Sequence, residues 1–102
     1  MKVPANGFYY HYKHDPRGPF NNYSYEVIGI ARHTEEKTFT VLYRPLYVND
    51  WFKPADYQAR PLDMFNENVT KDGQVIARFQ QITDPELIAK LQKIKAQMYG
   101  SK

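Results

Sequence analysis

The hydrophobic period of this chain changes once, and that change constrains the fold more than any motif does. Up to Thr83, apolar and polar residues alternate in short runs broken by proline, glycine, asparagine and aspartate. From Asp84 onward, apolar residues recur every third or fourth position. Alternation is the period of a strand, and the later spacing is that of an amphipathic helix. A chain of 102 residues has room for one core. The pattern predicts a mainly β domain over residues 1–83, a small barrel or roll. A C-terminal amphipathic α-helix with a short tail over 84–102 would pack on that barrel or on a partner.

Within the first part, "FYYHYK", residues 8–13, reads as a strand with Phe8, Tyr10 and Tyr12 on one face and Tyr9, His11 and Lys13 on the other. Both faces carry rings, so both can be covered. "HDPRGPFNN" reads as a loop. "YSYEVIGIAR" is a long strand whose Gly29 suits a bend or a close backbone approach. "HTEEK" turns the chain back into a strand over 38–43, and Pro45, Pro54 and Pro61 then permit only short strands. "PLDMF" suggests a single 3₁₀ turn. Asp72-Gly73 marks a hairpin, with Gly73 supplying a positive φ. The helix carries Leu87, Ile88, Leu91, Ile94 and Met98 on one stripe, with Thr83 and Glu86 placed for a capping box, Pro85 in the first turn and Gly100 at the end.

Composition removes several function classes. There is no cysteine, so disulfides and thiolate metal sites are excluded. The chain has no apolar run near the length of a membrane span and no secretory h-region, which predicts a cytoplasmic protein without a membrane partner. Net charge is +3, but residues 1–83 hold 10 basic and 9 acidic groups, so most of the excess lies in the tail. That distribution is a weak pointer to nucleic acid.

Chemistry-bearing constellations are sparse. His11-x-x-His14-Asp15 and His33-Thr-Glu35 offer imidazole and carboxylate, yet residues three apart on a strand point to opposite faces, so no metal or other cofactor is expected. The two serines stand in no nucleophile elbow, and the five glycines form no phosphate loop, so the pattern leans away from an enzyme. Aromatic residues interleaved with basic ones are the strongest remaining pattern. Tyr9, His11 and Lys13 share one strand face, and Arg32, His33, Arg44, Tyr47, Trp51 and Arg60 can lie near it once the strands pair. Rings stack on bases while Arg and Lys meet phosphates. These nine residues are the candidate ligand-binding set for RNA or single-stranded DNA. The alternatives are a protein–protein adaptor using Trp51, Phe52 and the helix, and a small-ligand or enzymatic site centred on His11 and His33.

The order Gly7, Tyr9, His11-Tyr12-Lys13, Tyr25-Glu26-Val27, Ala31, His33-Thr34-Glu35, Val41, Tyr43, Leu46-Tyr47, Arg60-Pro61, Met64-Phe65, Glu67, Val69, Gly73 and Arg78-Phe79 resembles the bacterial family called domain of unknown function 1653. The resemblance runs from Gly7 to about Phe79. It implies a small SH3-like barrel and assigns no activity, so the chain reads as an uncharacterised binding module. Two departures stand out. "HDPRGPFNN" is inserted after the first strand, and Gln58 stands where the family usually has tryptophan two residues before Arg-Pro.

Overall fold

A computed structural model describes residues 2–48 and 57–100. Among these residues, seven strands and two helices follow the order β1 (Gly7–His11), β2 (Ser24–Arg32), β3 (Phe39–Pro45), β4 (Gln58–Pro61), α1 (Leu62–Phe65), β5 (Asn68–Lys71), β6 (Gln74–Ala77), β7 (Phe79–Gln81) and α2 (Pro85–Tyr99). The mainly β class with a terminal helix holds. The strands do not close into a barrel. Five of them form an antiparallel sheet in the order β4-β3-β2-β1-β7, and β5 and β6 pair separately. Proline and short segment length explain the opening. β4 ends at Pro61, which has no N–H to extend a ladder, and β7 is only three residues long.

Pairing places Phe8 opposite Glu26, Tyr9 opposite Tyr25, Glu26 opposite Arg44 and Val27 opposite Tyr43. Directly paired residues share a face. One face therefore carries Tyr9, Tyr25, Val27 and Tyr43, and the other carries Phe8, Glu26 and Arg44. The register shifts between Val27 and Gly29, which is the bend anticipated at that glycine. A Cβ at Gly29 would meet nothing within 4 Å, so the bend and not a close approach is what it provides. Asp72 and Gly73 both have positive φ, 52° and 78°, as a two-residue hairpin turn requires.

Each face has its own core. The first joins Tyr9, Tyr25, Val27, Val41, Tyr43, Leu62, Phe65 and Phe79. The second joins Phe8, Leu46, Ile82 and Leu91, with Tyr10, Leu87, Ile88 and Ile94 packed against it. Leu91 is fully buried, so the helix stripe docks on the sheet of its own chain. Two local expectations change. Asn66 N–H bonds the Leu62 carbonyl, which makes α1 a single α turn instead of a 3₁₀ one. The helix cap is Asp84, whose carboxylate accepts from Glu86 N–H at 3.1 Å. Proline at the first helical position, Pro85, fixes the preceding residue as the cap and leaves Thr83 outside.

The inserted loop is ordered by its own side chains. Asn22 bonds backbone groups of Asp15 and Pro19, His14 stacks on Tyr10 at 3.6 Å, and the Tyr10 hydroxyl donates to the Phe20 carbonyl.

Candidate functional site

The ring-rich face is built by strands that place an aromatic at nearly every inward position. Its rings form a buried cluster: Tyr9, Tyr25, Tyr43, Phe65 and Phe79 are all under 10% exposed. Tyr9 is thus a core residue and not the surface residue anticipated for it. It packs edge-on against Phe65 at 5.7 Å and donates its hydroxyl to the Ala5 carbonyl. Rings on both faces of the strand left it open whether one or both sides are covered, and both are. α2 covers Phe8 and Tyr10, and the ring cluster with α1 covers Tyr9.

At the rim of that core the rings become accessible. His11 ends β1 and is half-buried, with its ring centroid 4.5 Å from Tyr12, 5.1 Å from Phe79 and 5.7 Å from Tyr23. Tyr23 lies 5.7 Å from Tyr47, and the Tyr47 hydroxyl hydrogen-bonds that of Tyr25. Arg60 is brought to the same face by the pairing of Val41 with Arg60. Its guanidinium carbon lies 5.6 Å from the Phe79 centroid, and its Nε donates to the Tyr43 hydroxyl at 3.3 Å. Lys71, from the β5–β6 hairpin, donates to the Tyr12 carbonyl at 2.7 Å. Arg78 pairs with Glu67 at 3.0 Å.

The charge balance of this rim is uneven. Among the described residues, no carboxylate pairs with Lys13, Arg60 or Lys71. Burial, and then the positive charges of Arg60, Lys13, Arg78 and Lys71, hold the His11 pKa down to about 4. The ring is therefore neutral at physiological pH. Burial, reinforced by the hydrogen bond to Tyr47, raises the Tyr25 phenol, and burial also raises that of Tyr9 despite the bond to Ala5.

The remaining candidates disperse. Arg44 lies on the opposite face, where it is bonded to Glu26 at 3.1 Å and stacked 3.9 Å over Tyr99. Arg32 is exposed and leans on Phe39. His33 follows the far end of β2, in a cleft with Glu36, Phe39, Leu62 and Asp63, and its Nδ1 accepts from Glu36 N–H. His11 N–H bonds the Tyr23 carbonyl at the other end of that nine-residue strand. A strand of this length spans roughly 25–30 Å, so the two imidazoles do not share a site. His14, stacked on Tyr10, faces away from His11. No group of three His, Asp or Glu side chains converges among the described residues. Trp51 and Phe52 lie outside the described residues. The structure thus brings His11, Lys13, Tyr47 and Arg60 to one rim. It adds Tyr12, which leaves the face of Phe8 and Tyr10 because β1 ends at His11, together with Tyr23 and with Lys71 and Arg78, which arrive from about 60 residues downstream where spacing gives no placement.

The chain matches the family described as "Protein of unknown function (DUF1653)" over residues 7–81. It belongs to that family. Among solved structures, it is similar to a DUF1653 protein from Bordetella bronchiseptica, at 29% identity and a TM-score of 0.59, over 78% of this chain and 92% of that one. Comparison with curated proteins finds no match. The family carries no assigned function, so it adds no chemistry to the rim. No helix among the described residues is long and apolar enough to cross a membrane.

Proposed function

We propose that this DUF1653 domain is a small binding module that holds a short stretch of single-stranded RNA or DNA at the His11 rim. One observation carries the proposal: accessible rings and cations that lack carboxylate partners meet at one place, around His11. Tyr23 is 37% exposed, enough for a base to stack on it. Tyr12 and Tyr47 are half-buried beside it, and Lys13, Arg60 and Lys71 supply charge for the backbone. Three cations suit a short stretch of about three phosphates and not an extended strand. The adaptor alternative loses its helix, because the apolar stripe is spent on Phe8, Leu46 and Ile82 within the chain.

Affinity is expected to be modest. About three neutralised phosphates give a salt dependence near −0.7 for each. Fluorescence anisotropy with single-stranded RNA and DNA oligonucleotides at low salt tests this. Binding that saturates below roughly 100 μM and falls when Lys13→Ala and Arg60→Ala are combined supports the role. Absence of binding at that concentration removes it, as does binding that survives the double variant.

A further inference from the structure

We propose, resting on the binding role above, that the rim contains a phosphate subsite in which His11 acts as a neutral hydrogen-bond donor beside the Arg60 guanidinium. The tautomer follows from geometry. Lys13 backbone N–H points at His11 Nδ1 at 3.2 Å. A backbone N–H can only donate, so Nδ1 must offer its lone pair. In the neutral ring the proton then resides on Nε2. Among the described residues Nε2 has no hydrogen-bond partner, so the rim presents an unused N–H. Its surroundings select the acceptor. His11 and the Arg60 guanidinium both lie against Phe79, at 5.1 Å and 5.6 Å from its ring centre, and the Lys13 ammonium lies 6.0 Å from the neighbouring Tyr12 ring. No described carboxylate forms an ion pair with either of these cations, although Asp15 and Asp72 line the same cleft as Lys13.

A phosphate oxygen suits both groups. It accepts strongly from an N–H and meets a guanidinium fork with two oxygens. A base carbonyl would satisfy His11 but leave the charge of Arg60 and Lys13 unanswered. Tyr23, stacked beside the His11 ring, stands where the base attached to that phosphate can lie. In the free protein the ring therefore meets the phosphate as a neutral donor and not as a cation between pH 6 and 8. A rim recruiting a charged imidazole would bind more tightly as pH falls across that range.

The test is nitrogen-15 NMR of the histidine rings in the wild-type protein at pH 7, with His11 assigned through His11→Asn. The free protein is expected to show His11 protonated on Nε2 only. Titration with inorganic phosphate and with adenosine 5′-monophosphate should shift the Nε2 signal saturably, leave His33 unmoved and lose its effect in Arg60→Ala. Adenosine should produce no such shift. Tenfold tighter saturation by the nucleotide assigns the phosphate to a nucleotide, whereas equal saturation assigns it to free phosphate; the subsite stands in both cases. A proton on His11 Nδ1, no shift with either phosphate probe, or an equal shift with adenosine overturns it. If oligonucleotides bind while phosphate leaves His11 unmoved, the subsite falls and the nucleic-acid role survives. If phosphate saturates His11 while oligonucleotides fail to bind, the reverse holds.

Discussion

Arg44 and Arg60 sit on adjacent strands, β3 and β4, and both lie against aromatic rings. The helix-covered face treats its arginine as structure. Arg44 is 8% exposed and bonded to Glu26, which also accepts from Lys95 at 2.7 Å, and Tyr99 stacks on the guanidinium while donating to the Pro45 carbonyl. The ring face leaves its arginine charge without an ion pair, with Tyr43 as the only hydrogen-bonding partner of the Arg60 side chain among the described residues. Identical chemistry thus has two outcomes. Where a carboxylate meets the cation, the group fastens α2 to the sheet; where none does, the group remains available to a ligand.

The largest expected effect tests the first half of that contrast. Glu26→Ala strands two buried or half-buried cations, and removing one partner of a buried pair costs about 3–5 kcal/mol. Chemical denaturation should show that loss. If the loss is under about 1 kcal/mol, the ion cluster does not fasten the helix and the two arginines are not as different as their surroundings imply.

An intermediate effect concerns acid. The folded pKa of His11 is about 4, below its ordinary 6.5, so the unfolded chain takes up the proton first. The stability that a neutral His11 provides is complete above pH 6.5 and drains away as pH falls toward 4. Thermal melts of the parent should decline across that window, and His11→Gln should decline less. Parallel curves would mean that the rim neither buries nor electrostatically disfavours the charged ring.

Arg60→Ala should have the smallest effect on stability. The residue is half-buried, and a cation over a ring contributes about 0.5–1 kcal/mol at such a site. The melt should hardly move while oligonucleotide affinity falls at least tenfold. A large drop in stability would place Arg60 in the same class as Arg44.

Much of the architecture was legible in the sequence because it rests on local rules. Asp72-Gly73 predicts its hairpin since few other pairs tolerate two positive φ angles, and the stripe at Leu87, Ile88, Leu91 and Ile94 predicts a docked helix since that spacing builds one apolar face. The alternation at residues 8–13 correctly separates Phe8 from Tyr9, yet it could not say which face is solvent, because a strand with rings on both sides has the same pattern whether one or both are covered. The shared rim of His11 and Arg60 rests on strand order. Nothing local distinguishes Arg60 from Arg44.

By itself, then, the sequence determined the period of each segment, the turn positions, the lack of thiol chemistry and the family, all of which depend on neighbouring residues or on residue order. Tertiary structure alone decided that the sheet stays open, that Tyr9 is core, that His11 and His33 lie at opposite ends of β2, and that Glu26 neutralises Arg44 while Arg60 keeps its charge. The reason is physical. Burial and Coulomb attraction act through space over a few ångströms, and Glu26 meets Lys95 across 69 positions of chain that no periodicity spans.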